Sequence, residues 1–247
     1  MAIFHLSTKI VSRTSGRTAL AAAAYRSGDR LEQDGIDGAV YDYSRKGGVV
    51  HTEILAPENA PKWVHDREQL WNDVDRIERQ KNSQLAREIE VALPVELDLG
   101  QQVELLRTFV GNELVSRGMV ADVAVHHDNP KNPHAHILLT MRTVGPEGFG
   151  KKERAWNDRA MVRRWREAWA SETNRQLALA ESTARVDHRS FADQGLTLIP
   201  GRKLGMGVER QASPHLPGYL ANRVAEQDEI RRENGERLLK EPSQVLE

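Results

Sequence analysis

Residues 119–143 read MVADVAVHHDNPKNPHAHILLTMRT. Met119–His126 and His134–Thr143 are apolar runs rich in aliphatic residues, and the DNPKNP stretch between them consists of turn formers. Two strands joined by so short a polar connection pair antiparallel, because a parallel pair needs a crossover. Period two puts His134 and His136 on one face of their strand. In the preceding strand Val123 and Val125 mark the core face, which His127 shares. His126 shares the other face with Asp122 and Ala124, so the hairpin can bring it beside the His134–His136 clamp. Three imidazoles with open positions suit a catalytic metal. The alternative is a set of satisfied or solvent-facing strand histidines. Imidazole favours Zn²⁺, Mn²⁺, Ni²⁺ or Co²⁺ over Mg²⁺ on affinity, although availability can decide otherwise. Such a triad does not name a reaction, since hydrolases, oxygenases and phosphoryl-transfer enzymes all use it.

The flanking sequence supplies the rest of a sheet. Leu85–Leu93 alternates strictly and stops at Pro94, and residues 2–11 and Val49–Leu55 read as further strands. Thr18–Leu31 contains an alanine run broken only by Leu20 and predicts a helix. Lys62–Gln80, Leu99–Arg117 and Asp158–Glu181 carry apolar residues at helical spacing. The glycine-rich residues 32–47 read as a loop or hairpin. This order predicts an α+β domain, a central antiparallel sheet of about five strands with helices against one face. Residues 1–200 form the expected domain. Residues 201–247 are expected to be an extension ending in a charged helix.

Composition limits the function classes. Lys plus Arg is 35 and Asp plus Glu is 36, for a net charge of −1. That excludes a protein held to nucleic acid by bulk charge, but not one with a local basic face. The chain has no cysteine, so it has no disulfide, zinc knuckle or thiol nucleophile. No apolar run approaches the ~18–20 residues of a membrane span. The start, MAIFHLSTKIV, lacks the pattern of a signal peptide, which makes the cytoplasm the expected compartment.

Tyr25 ends the alanine run and is followed by Arg26, Ser27, Gly28, Asp29 and Arg30. Upstream, Arg13 and Arg17 flank a Ser15-Gly16 turn whose backbone N–H groups could meet a phosphate. Tyr25 reads either as an ordinary helix residue with a wet hydroxyl or as a nucleophile. A phenol can attack a phosphodiester and leave a covalent phosphotyrosine, and a nearby cation would stabilise the charge on the phosphoryl oxygens.

Four segments in order, Met1–Arg30, Lys81–Pro94 (KNSQLAREIEVALP), Val125–Arg142 and Ala184–Gly195 (ARVDHRSFADQG), resemble the relaxase domain of the MobA/MobL (MobQ) class of conjugative DNA nickases, TraA-type, within the HUH endonuclease superfamily. The resemblance implies an HUH relaxase-like fold. It places the nucleophile on Tyr25 and the metal ligands on His126, His134 and His136, with Ala135 between the last two. The family's acidic residue falls on Glu88, with Glu90 as a rival, acting either on the phenol proton or on a ligand imidazole. The implied reaction is site- and strand-specific nicking of origin-of-transfer (oriT) DNA. A 5′-phosphate is left on Tyr25 and later religated. The implied cofactor is a divalent cation, Mn²⁺ or Mg²⁺ first, with Zn²⁺, Ni²⁺ or Co²⁺ as alternatives. The implied partners are single-stranded oriT DNA, relaxosome accessory proteins and a type IV secretion coupling protein, with no membrane insertion. TraA-type relatives continue into a helicase domain.

DNA must also be held. Arg13, Arg17 and Arg26 surround the Tyr25 helix, and residues 151–175 carry an excess of Lys and Arg, with Lys152 a candidate phosphate contact. Trp156, in a polar loop, is the candidate for stacking on a base. Trp165 and Trp169 fit a helix core stripe. The nearest rival is a rolling-circle replication initiator with the same chemistry. In such proteins the tyrosine usually follows the histidine clamp, whereas here it precedes it. A metal-dependent hydrolase would not need Tyr25. A DNA-binding module with a structural metal would leave the strand whole.

Overall fold

A computed structural model of the chain describes residues 2–35, 38–201 and 218–240. The chain divides into two compact units, Met1–His188 and Arg189–Glu247. In the first, strands β1 (Leu6–Ser12), β4 (Val49–Leu55), β5 (Gln84–Ala92), β6 (Ala121–His126) and β7 (His134–Thr140) form one sheet, order β1-β5-β7-β6-β4. Every neighbouring pair is antiparallel. The small strands β2 (Arg30–Glu32) and β3 (Val40–Asp42) pair with each other, as do β8 (Arg142–Gly145) and β9 (Gly148–Lys152). The helices of this unit are α1 (Ala19–Ser27), α2 (Arg67–Ile77), α3 (Leu99–Glu113) and α4 (Arg159–Leu179).

Helices pack on both faces of the sheet, not on one. Ile89, Val91, Val123, Val125, Ala135, Ile137 and Leu139 face Leu105, Phe109, Trp165 and Trp169 of α3 and α4. On the opposite parity, Ala86 and Leu138 pack with Leu20, Ala23, Leu70 and Trp71 of α1 and α2. The reason is position: β5 and β7 are interior strands and bury side chains of both parities. Glu88, His134 and His136 share the α1 and α2 face, beyond the reach of its apolar packing.

Local chemistry sets the ends of α1. Thr18 Oγ1 accepts from Ala21 N at 2.9 Å, and the Asp75 carboxylate of α2 accepts from Ala19 N and Leu20 N at 3.1 and 3.2 Å. Gly28, at φ 74°, stops the helix. The expected continuation to Leu31 fails there, because residues 30–32 turn into β2. The expected helix over 62–80 is split into a short 3-10 turn, Lys62–His65, and α2, whose N-cap Asp66 accepts from Gln69 N at 3.0 Å.

The second unit contains α5 (Gly218–Lys240). Within it the Asn234 side-chain amide accepts from Ile199 N through Oδ1 at 2.8 Å and donates to the Ile199 carbonyl through Nδ2 at 2.9 Å. Residues 202–217, the bulk of the expected extension before its helix, lie outside the described residues. Among the described residues no helix is long and apolar enough to cross a membrane.

Candidate metal and nucleophile site

His126 closes β6 directly opposite His134, which opens β7, and His136 lies two residues further along. The three ring centroids are 4.8–5.2 Å apart. One ligand atom from each lies within 4.8 Å of the others, so the trio could hold a metal ion. His127 takes the opposite face, bonded through Nε2 to Gln102 Oε1 of α3 at 2.8 Å.

Each ring of the trio is oriented by a second group. His136 Nδ1–H donates to Glu88 Oε1 at 2.7 Å and His134 Nδ1–H to the Asn132 carbonyl at 3.0 Å, leaving the Nε2 lone pair of both rings for a cation. His126 Nε2–H donates to the Arg26 carbonyl at 2.7 Å, which leaves the lone pair of the neutral ring on Nδ1. That bond ties the last turn of α1, which carries Tyr25, to the histidine hairpin.

Glu88 is the electrostatic centre. Burial alone would raise its pKa. Hydrogen bonds from His136 and Arg26, together with the Arg26 charge, outweigh that and hold the carboxyl well below the usual carboxylate range. Arg26 reaches Oε1 with Nε at 2.9 Å and Oε2 with Nη2 at 2.6 Å, a bidentate pair. Glu90 sits two residues along the strand, opposite His136, and pairs instead with Lys9 Nζ at 2.9 Å.

Burial lowers the His136 pKa despite Glu88, and lowers that of His126 from 6.5 to about 4, with Lys46 and the neighbouring histidines adding to the shift. Both rings are therefore neutral near pH 7, the form that ligates. The unfolded chain takes up protons near pH 6.5 that the folded site refuses, so folded-state stability falls as pH drops from about 6.5 to about 4. For His126 alone the loss is on the order of 3 kcal/mol. The drop in urea midpoint of metal-free protein between pH 7 and pH 4.5 should be smaller in His126→Asn than in wild type; an equal drop would refute it.

Tyr25 is 41% exposed on the last turn of α1. Tyr43 lies edge-on to its ring, with centroids 5.3 Å apart at 89°, and Lys46 Nζ stands 4.0 Å over the ring centroid. Lys46 was not legible as a site residue, since its proximity comes from a turn 21 residues away in sequence.

The remaining expected DNA contacts separate. Arg17 is exposed. Arg13 is turned inward, donating to the Asp75 carbonyl at 2.8 Å and the Glu78 carbonyl at 3.3 Å. Arg26 is committed to Glu88. Lys152 Nζ donates to Glu78 Oε2 at 2.9 Å and the Gln84 carbonyl at 2.7 Å. Trp156 is 5% exposed and belongs to the core, with its carbonyl accepting from Arg87. It offers no open face to a base: its polar sequence neighbours conceal a residue that the sheet and α4 enclose. Trp165 and Trp169 are core residues, as their spacing suggests.

The chain is similar to known proteins over most of its length. The MobA/MobL family profile matches residues 17–213. The chain is 36% identical over 281 aligned positions to conjugal transfer protein TraA of Rhizobium radiobacter, covering all of this chain and 25% of that protein. It is 38% identical over 250 positions to mobilization protein MobL of Acidithiobacillus ferridurans, covering 85% of this chain and 65% of that protein. A solved structure described as the molecular basis of vancomycin resistance transfer in Staphylococcus aureus aligns with a TM-score of 0.71 at 36% identity, over 76% of this chain and all of that one. The chain spans about a quarter of the length of the TraA proteins it matches. With the profile running from the turn before the Tyr25 helix through the histidine hairpin and beyond α4, the chain belongs to the MobA/MobL family.

Proposed function

We propose that this chain is a conjugative relaxase domain that nicks one strand of oriT DNA by transesterification on Tyr25. The observation that carries the reading is the convergence of His126, His134 and His136 beside the end of the helix that bears Tyr25, joined through the Arg26 carbonyl. The ligands would be these three imidazoles. A bound divalent cation would supply a Lewis acid that neutralises charge on the non-bridging oxygens of the scissile phosphate.

The chain's own residues account for the remainder. The Tyr25 oxygen bonds to phosphorus, the bond from phosphorus to the 3′-oxygen breaks, and the phenol proton is balanced by the one the 3′-hydroxyl gains. Exposure of Tyr25 lets a strand reach it, and exposed Arg17 is the candidate backbone contact before α1. Glu88 acts through His136, not on the phenol. Both of its oxygens are engaged by Arg26 and His136, and a carboxylate held so far below its usual range is a poor proton acceptor.

Glu88→Ala is therefore expected to lower Mn²⁺ affinity by about 10- to 100-fold, read by isothermal titration. Unchanged affinity would remove Glu88 from the site. The function itself is tested by incubating the protein with single-stranded oligonucleotides spanning candidate origins of transfer, with Mn²⁺ or Mg²⁺, on denaturing gels. A slow-migrating protein–DNA adduct that EDTA prevents is expected. Metal-dependent cleavage without an adduct would replace the covalent step with a metal-activated water.

A further inference from the structure

The turn between β3 and β4 folds back over Tyr25, and nothing in the nicking chemistry described above uses it. We propose that Lys46 is a positioning residue for Tyr25, holding the backbone and the ring of that residue with a single ammonium group, with the Tyr43 ring packed at a right angle against it. The proposal rests on Tyr25 being the attacking residue.

An exposed tyrosine on the last turn of a helix is poorly placed for in-line attack unless something restricts it, because its χ angles retain several staggered wells. The carbonyls of that turn are also short of helical donors. Lys46 Nζ answers both needs. It donates to the Tyr25 carbonyl at 2.6 Å and lies 4.0 Å over the ring centroid of the same residue. The first contact places a cation at a helix C-terminus, where the dipole favours it. The second is a cation–π contact that a capping lysine does not require. The Tyr43 ring, at 89° to the Tyr25 ring with centroids 5.3 Å apart, adds an aromatic contact to the same ring.

The turn carrying these groups is itself fixed. Lys46 N donates to the Tyr43 carbonyl at 2.8 Å, and Tyr43 N to the Asp29 carbonyl at 3.1 Å. At its end Gly48 has φ 89°, and a Cβ there would lie 2.6 Å from Asp128 Cβ. Only glycine tolerates both that conformation and that approach. The Gly48 carbonyl accepts from His127 N at 2.7 Å. The turn is thus pinned to the segment that follows β6, next to His126. The ring of Tyr25 and the histidine trio are held in one frame by two independent links, this turn and the bond from His126 to the Arg26 carbonyl.

A positioning role predicts a loss of rate, not of binding. Lys46→Met keeps length and apolar bulk without the charge; Lys46→Arg keeps the charge. Single-turnover adduct formation is measured at saturating oligonucleotide, and oligonucleotide affinity separately in a Tyr25→Phe background. Lys46→Met is expected to slow adduct formation about 100-fold, the scale of a nucleophile misplaced by about 1 Å. Its oligonucleotide affinity should stay within a few-fold, and Lys46→Arg should recover most of the rate. A rate unchanged at saturation, or a loss matched by weaker binding, overturns the proposal. A second readout needs neither DNA nor metal: ring signals of ¹³C-tyrosine-labelled protein, with Tyr25 assigned by its absence from Tyr25→Phe. The Tyr25 signal is expected to move in Lys46→Met and to be largely restored in Lys46→Arg. If the wild-type protein forms no adduct, the covalent reading of Tyr25 fails by itself. The ring signal then decides on Lys46, and an unmoved signal overturns the clasp.

Discussion

Tyr25→Phe is expected to form no covalent adduct with oriT oligonucleotide, a loss on the order of 10⁴-fold or more, the scale of a deleted nucleophile. The substitution removes only the hydroxyl. Phenylalanine keeps the ring on which Lys46 and Tyr43 rest, so α1 and the turn over it retain their packing. The residue is 41% exposed, and stability is expected to stay within about 0.5 kcal/mol of wild type. The histidine trio is untouched, so Mn²⁺ affinity should not change. That combination, full folding and metal binding with no adduct, separates a lost nucleophile from a damaged site. The residue best placed to rescue the reaction is Tyr43, whose ring centroid is 5.3 Å from that of Tyr25. Residual adduct in Tyr25→Phe that disappears on further substitution of Tyr43 would move the attacking group there.

Asp122→Ala has the largest expected effect on stability. Asp122 is 5% exposed, on the β6 face that also carries His126. Its carboxylate accepts Arg67 Nε at 2.9 Å, Arg67 Nη2 at 2.9 Å and Trp71 Nε1 at 2.8 Å. Arg67 continues to Asp29 at 2.6 Å, which ties α2 to the segment just past α1. Truncation leaves a largely buried guanidinium short of one partner and an indole N–H of the fully enclosed Trp71 with none. Breaking a buried pair from one side costs about 3–5 kcal/mol, against a total of about 5–15 kcal/mol for a typical domain. The urea midpoint should fall accordingly with the m-value retained. A change below about 1 kcal/mol would mean that the network contributes little to the fold. Asp122→Asn, which can still accept from Trp71, should fall between the two.

The sheet was legible because its signals are local. Strict alternation over Leu85–Leu93, the DNPKNP connection and the parity of His126 against Val123 and Val125 are each confined to a few neighbouring residues. They correspond to β5, the β6–β7 hairpin and the facing histidines. The side of the sheet on which helices pack was not legible, because alternation in β5 hides the fact that Ala86 and Glu88 are as enclosed as Ile89 and Val91. The β8–β9 hairpin also escaped. It is short and glycine-rich, and Arg142 and Lys152 anchor it to Glu78, more than sixty residues earlier in the chain. The same long-range pairing explains the basic residues. Arg26, Arg13 and Lys152 look like phosphate contacts in sequence, yet each meets a partner from a distant segment that turns it inward. Charge is visible in a sequence, while the partner that neutralises it is set by the fold.

Whether the Tyr25 oxygen itself receives the DNA is decided by peptide mass mapping of the wild-type adduct, after nuclease trimming and tryptic digestion. Tyr25 falls in the peptide Thr18–Arg26, while Tyr41 and Tyr43 share the peptide Leu31–Arg45. A nucleotide phosphate is expected on Thr18–Arg26, with fragment ions placing it on Tyr25. The modification on Leu31–Arg45, or a cleaved strand with no peptide modified, would contradict it.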